Sequence, residues 1–172
     1  IPAGKSYTGE ELEEFCAEYE TFIANNLDRI TLFTEVQHPN LPEGFVEEQR
    51  LTAWNSVPEE KFSVVFDGSN LESLATRYLN VSIPAHFIEE NPSLESSLRR
   101  FSSQHGSRFH VLGLSKPDTI RNSPFETAAS LAWLSPMMRG ETIIWDNAKL
   151  VRYPKRMKEQ ARARHSNSYA LA

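Results

Sequence analysis

Residues 62–68, FSVVFDG, form a near-continuous apolar run of strand length. A strand that is apolar at nearly every position is buried on both faces, as in a parallel sheet covered by helices. A helical pattern follows at once. Leu71, Leu74, Ala75 and Tyr78 supply an apolar stripe, and Ser69 with Glu72 reads as a capping box at its start. The same alternation recurs along the chain. RITLFTEV (29–36), VSIPAHFI (81–88) and RFHVLGLS (108–115) are β-rich runs, and the two prolines of HPNLPEG close the first of them.

Between these runs lie helical segments. TGEELEEFCAEYETFIANNLD opens with a Thr8/Glu11 capping box and repeats Leu12, Phe15, Cys16, Tyr19, Phe22, Ile23 and Leu27 at helical spacing. FVEEQRLTAWNSV (45–57) is a shorter helix. NPSLESSLRRFSSQHG (91–106) has Asn91 as N-cap, Pro92 at the first helical position and Gly106 as the stop. A short helical turn spans Pro117 to Arg121. PFETAAS (124–130) fits either a fifth strand or, through Ser123 and Glu126, a helix start. Strands separated by helices imply parallel pairing through right-handed crossovers, in a barrel or a doubly wound sheet. Both plans gather ligands at the C-terminal strand ends. Here those ends are Glu35 to His38, Asp67-Gly68-Ser69, Ala85-His86, Gly113-Leu114-Ser115 and whatever follows Phe125.

Beyond Gly140, ETIIWDNAKLVRY has the pattern of a hairpin around Asp146-Asn147, and PKRMKEQARARH is a basic helix carrying Lys155, Arg156, Lys158, Arg162 and Arg164. Charge is distributed unevenly. Residues 1–90 hold 5 Lys+Arg against 17 Asp+Glu, and residues 91–172 hold 13 against 6, so a net −12 faces a net +7. A polyanion would meet the C-terminal part, at Arg139, Lys155, Arg156 and Lys158, with Trp145 and Tyr153 near enough in sequence either to stack on a base or to pack in a core. Residues 1–153 are read as one domain and residues 154–172 as a basic helix and tail.

Several classes are excluded or disfavoured. No run approaches the roughly 18 apolar residues of a membrane span, and no signal-type start is present, so a cytoplasmic, soluble protein is expected. The chain begins Ile1-Pro2 without methionine, as a processed chain or a part of something longer would. Cys16 is the single cysteine, which leaves no disulfide and no cysteine-based zinc site. No metal and no cofactor are expected. Asn80-Val81-Ser82 matches the glycosylation pattern by chance. His110, inside an apolar strand, reads as a core histidine with satisfied nitrogens, and His38 as a loop residue.

Taken in order, these pieces resemble the tRNA-guanine transglycosylase superfamily, and most of all its zinc-free phage and bacterial members that install 7-deazaguanines in DNA. The Gly113-x-x-Lys116-Pro117 turn resembles the family's glycine-rich turn, and SPFETAASLAW the strand that follows it. ITLFTEV resembles the strand bearing a base-binding Asp, and FSVVFDGSNLESL the Val-Gln-Gly-Gly strand with its helix. The resemblance covers roughly residues 7–153. It implies an α/β fold of the (β/α)8 TIM-barrel type, of which this chain holds the C-terminal five strands or so. The implied function is exchange of a guanine in DNA or tRNA for a 7-deazaguanine base, with a second chain as one way to complete the barrel.

In that family a carboxylate attacks the anomeric carbon and forms a covalent glycosyl-enzyme intermediate, chemistry that retaining glycosidases also use. Carried over residue by residue, the resemblance puts Glu126 at the nucleophile. It puts Glu35, Asp67 and Gly68 at base-binding positions, Ala85 and His86 near the main chain that meets the base, and Leu112 and Gly113 at the pocket floor. Glu35 and Glu126 are each one methylene longer than the family's Asp, and on the phage-type pattern the nucleophile position becomes Ala129. The strand with the family's general base would precede Ile1. Two alternatives stand beside enzymatic exchange: a catalytically degenerate binding or scaffold relative, and a PIN-like metal-dependent nuclease using Asp67, for which only Glu35 offers a second carboxylate.

Overall fold

The computed structural model describes residues 7–114, 120–130, 138–146, 149–164 and 170–171. The chain divides into two compact units, Ile1–Ala128 and Ala129–Ala172. The first is a mixed α/β unit with a five-stranded sheet, in the order β1 (Phe33–Thr34), β2 (Phe62–Val65), β3 (Asn80–Pro84), β4 (Arg108–Leu112), β5 (Phe125–Ala129). The sheet is parallel and curled like half of a barrel. Its spatial order equals its chain order. With right-handed crossovers that order sends every connecting helix to the same side, which curls a sheet rather than leaving it open and doubly wound.

The pleat sorts the strand residues into two faces. Phe62, Val64, Phe66, Val81, Ile83 and Phe109 join Leu71 and Ala75 of α3 (Leu71–Arg77), Ile88 of α4 (Ala85–Glu90), and Leu98 and Phe101 of α5 (Leu94–His105) in one buried core. The other face is largely polar. Ser63, Asn80, Ser82 and His110 are all buried on it, with Ser63 Oγ and Ser82 Oγ 2.8 Å apart. The FSVVF run is thus buried on both faces as expected, and its second face sets hydrogen-bonded Ser63 beside buried Val65. Asn80, the first residue of the Asn80-Val81-Ser82 pattern, is 1% exposed.

Helix α1 (Gly9–Asn26) carries the expected capping box: Glu11 N donates to Thr8 Oγ1 at 3.2 Å and Thr8 N to Glu11 Oε2 at 3.0 Å. It buries Leu12, Cys16 and Ile23. Tyr19 Oη donates to Thr34 O of β1 at 3.0 Å, and the Lys61 ammonium donates to Leu27 O at the helix end. Helix α2 (Phe45–Ser56) matches its expected span, and Gly106 closes α5 in the left-handed region at φ 73°.

Four local expectations are corrected. The run 29–36 forms only two strand residues, because side chains take over the pairing beyond Thr34. The Val65 amide donates to the Glu35 carboxylate at 2.8 Å, and both main-chain groups of Val36 pair with the Gln49 amide, at 3.0 and 2.9 Å. The run 81–88 is a strand only to Pro84. That residue has no N–H to continue a ladder and its φ of −59° suits a helix entry, so α4 begins at Ala85. Ser69 and Glu72 form no capping box. Asp67 Oδ1 takes both the amide and the hydroxyl of Ser69, each at 2.8 Å, and α3 starts after Asn70 at φ 49°. The N-cap of α5 is Ser93 and not Asn91, whose carbonyl and side chain instead close the turn into Leu94. PFETAAS adopts the strand of its two alternatives. Ser123 Oγ donates back to Ile120 O at 2.7 Å instead of capping a helix. The Lys116-Pro117 turn, most of the turn 117–121 and the SLAW residues beyond Ser130 lie outside the described residues.

The second unit is a small antiparallel sheet in the order β7 (Lys149–Tyr153), β6 (Thr142–Asp146), β8 (Ala170–Leu171). β6 and β7 form the expected hairpin, with Asp146 opposite Lys149. The hairpin and the basic helix both fall in the compact unit Ala129–Ala172. That helix consists of a 3-10 turn at Lys155–Met157 and α6 (Lys158–Arg164). Ile144, Tyr153 and Ala161 form its core, packed by Val151 and Met157. No described helix is long and apolar enough to cross a membrane.

Candidate functional site

A cleft of about 610 Å³ opens at the C-terminal ends of β1, β2 and β3, where this topology places ligands. Its floor comes from Phe66, Asp67 and Pro84, and its walls from the 37–44 loop, Val46, Glu47 and Arg50 of α2, and His86 and Phe87 of α4. Two of the residues anticipated at this site, Asp67 and His86, line it directly. Gly68 makes the close approach possible. At φ 101°, a Cβ there would lie 2.9 Å from Cε1 of Phe87, whose ring in turn packs on Phe66 at a centroid distance of 4.9 Å. Ala85, Leu112 and Gly113 are gathered beside it at the ends of β3 and β4. Leu112 pairs with Pro84, and a Cβ on Gly113 would lie 3.9 Å from that of Ala85.

Glu35 is not among the residues that line this cleft; it is a buried anchor for Arg50, which does line it. Its Oε2 accepts from Arg50 Nε at 2.7 Å. Its Oε1 accepts from Arg50 Nη2 at 2.8 Å, Gln37 Nε2 at 2.9 Å and Val65 N at 2.8 Å. With 0% of its side chain exposed, that carboxylate meets protein donors and not solvent. The bidentate carboxylate holds the Arg50 guanidinium above its usual pKa, against the opposing effect of burial. Arg50 thus presents a permanently charged, pre-oriented group at the cleft wall.

The polar atoms in the cleft have assignable roles. Asp67 Oδ1 is committed to Ser69, which leaves Oδ2 as the acceptor. His38 Nδ1 accepts from Asn40 N at 3.2 Å, so the neutral ring carries its hydrogen on Nε2 and offers a donor. The His86 ring lies on that of Phe87 with centroids 4.1 Å apart. A carboxylate acceptor, an imidazole donor and an aromatic wall are the groups that hold a planar heterocycle by its polar edge. Among the described residues no group of three His, Cys, Asp or Glu side chains is placed to hold a metal ion.

Glu126 stands elsewhere. It is the second residue of β5, and its Oε1 lies 3.7 Å from Nε of Arg108, the first residue of β4, with both side chains about half exposed. That pair marks the N-terminal end of the sheet, about 13 Å of strand away from Leu112. Ala129, at the far end of β5, is exposed. His110 is the satisfied core histidine the sequence suggests, bonded through both nitrogens.

In the second unit Arg139, Lys155, Arg156 and Lys158 are all exposed. The stem of Lys155 lies against Gly140, and Glu141 pairs with Arg139 and Arg152. Tyr153 is buried in the unit's core, so it is a packing residue and not a stacking platform; the side chains of Trp145, Arg162 and Arg164 lie outside the described residues. Sequence reasoning missed Arg50, Phe87 and the cleft role of His38. Only His38 carried a signal, its place directly after a strand end. Comparison of the chain with protein families, with curated proteins and with solved structures returns no match.

Proposed function

We propose that this chain is a nucleic-acid-binding relative of the tRNA-guanine transglycosylase superfamily, its curled sheet a segment of a (β/α)8 barrel. In this reading the cleft holds a guanine or 7-deazaguanine base, and the second unit holds the polynucleotide. The observation that carries it is that one cleft at the strand ends is lined together by the Asp67 carboxylate, whose Oδ2 is left as acceptor, the His38 imidazole with its Nε2 donor, and the Phe87 ring. A carboxylate accepts from the N–H edge of guanine, an imidazole N–H donates to a ring acceptor, and an aromatic face stacks on the base.

The second unit supports the polyanion half of the proposal. It has 8 Lys+Arg against 3 Asp+Glu, a net +5, where residues 1–128 have 10 against 20, a net −10. DNA or tRNA is therefore the expected partner of that unit. Binding without exchange is favoured over exchange, because Glu126 sits at the opposite sheet end from the cleft and is paired with Arg108.

Calorimetry with guanine and 7-deazaguanine tests the binding half. Binding to the wild type that falls at least about tenfold in Asp67→Asn, the loss of one charged hydrogen bond, supports the reading. Equal binding by both proteins, or by neither, ends it. Incorporation of labelled guanine into DNA or tRNA by the wild type, abolished in Glu126→Gln, would establish enzymatic exchange in place of binding alone.

A further inference from the structure

His110 lies in the middle of β4, 5% exposed, and links three strands. Its Nδ1 is 2.7 Å from Thr127 Oγ1 of β5, and its Nε2 is 3.2 Å from Asn80 Oδ1 of β3. Asn80 sets the direction of every bond in this row. Its Nδ2 donates to two main-chain carbonyls, Glu59 O at 3.0 Å and Phe62 O at 3.2 Å, so its Oδ1 can only accept. Nε2 of His110 therefore carries the hydrogen. In the neutral ring Nδ1 is then the acceptor, and the Thr127 hydroxyl is its donor.

We propose that His110 is a pH-sensitive latch that fastens the edge strand β5 to the sheet, and that proton uptake by its ring releases β5. A proton on Nδ1 removes the acceptor that Thr127 uses, forces the hydroxyl to turn, and puts a positive charge in a buried place. Among the described residues of β5 itself, few other side chains fasten it. Glu126 to Ala129 are exposed, Phe125 touches the core, and the Arg108–Glu126 pair spans 3.7 Å between half-exposed groups. The charged groups acting on the ring among the described residues are Glu126 of β5, which favours the proton, and Arg108 of β4, which opposes it. The neighbours on β2 and β3, Ser63, Ser82 and Asn80, are neutral.

Burial is the largest influence and holds the folded ring below its ordinary value of 6.5. The released strand exposes a ring that titrates normally. The closed state thus binds fewer protons than the open one, and the latch is fully effective above pH 6.5 and weakens as pH falls below it. Opening should grow by up to about tenfold per pH unit in that range, or up to about eightfold between pH 7.0 and 5.5.

Amide hydrogen exchange on the full chain, corrected for the intrinsic rate at each pH, reads this directly. The opening constants of Thr127 and Ala128 should rise several-fold between pH 7.0 and 5.5, while those of Val64 and Val81 stay unchanged. His110→Gln should remove the pH dependence. Thr127→Val, at an exposed edge position, guards against a variant that fails to fold. Without the hydroxyl that favours the neutral ring, the His110 titration followed by ring-proton NMR should move up toward 6.5. A β5 opening constant that ignores pH, opening of all five strands in concert, or a ring carrying its hydrogen on Nδ1 at pH 7.5 would each overturn the proposal.

Discussion

Arg50 grips Glu35 through two parallel hydrogen bonds, Nε to Oε2 at 2.7 Å and Nη2 to Oε1 at 2.8 Å, and the carboxylate is wholly buried while the guanidinium reaches the cleft wall. The pair is asymmetric in its access to water, and its two halves should not cost the same to remove. Arg50→Met strands a buried charge that keeps only the Gln37 and Val65 donors, at a cost of about 3–5 kcal/mol. Glu35→Gln keeps an acceptor for Val65 and leaves an arginine that can hydrate, at roughly half that cost. Urea unfolding of both variants checks the order, and equal losses would show that the carboxylate is not the dependent partner.

At Gly68, beside the cleft, a methyl group cannot be placed without moving something. Its φ of 101° and the Phe87 ring 2.9 Å from a would-be Cβ both oppose a side chain. Gly68→Ala should destabilise by about 1–3 kcal/mol. It should also shift the ring resonances of Phe66 and Phe87 in NMR spectra. Unchanged ring resonances would mean that the 67–69 turn moves instead.

Cys16 is buried, and burial, followed by the nearby Glu20 and Glu13 carboxylates, pushes its thiol above the ordinary 9.0. A raised folded value means that the stability from this group is present below pH 9.0 and declines as pH rises through and above it. Thiolate is the reactive form, so native protein at pH 8 should react with a disulfide reagent only as fast as α1 opens, and at once in urea. Prompt reaction of the native protein would contradict the burial of this face of α1.

The nucleic-acid binding proposed for the second unit should, if it occurs, be steeply dependent on salt. Replacing Lys155, Arg156 and Lys158 together with Gln should reduce the slope of log K against log salt by about one per lysine or arginine that contacts a phosphate. A slope unaltered by the triple substitution would move the polyanion surface elsewhere.

The parallel sheet was legible because its signals are local: apolar runs of strand length, glycine stops, and a helix stripe after each. Even there, Pro84 and the Asp67 turn overrode longer-range patterns within one or two residues. Half of the candidate site was legible for the same reason, since Asp67, Gly68 and His86 follow directly on strands. Arg50 was not, because its meaning lies in a partner 15 positions earlier that only the folded chain brings beneath it. The shortness of β1 was hidden likewise, since nothing local tells that a Gln49 amide will stand in for a neighbouring strand. The place of Glu126 depended on how far along β5 it falls, one position after its start. Residue type carries no information about that.

The equality of spatial and chain order in the half-barrel bears on how the protein is made. Each strand, as it leaves the ribosome, finds its partner already synthesised and waiting at the growing edge, with β3 pairing to β2 across a separation of only 17 residues between Ser63 and Asn80. No strand must be held unpaired for a later one to slip between neighbours. Short closures of this kind favour rapid folding, so the sheet can be laid down from its N-terminal side at the pace of translation. The strand added last, β5, is the one that His110 fastens.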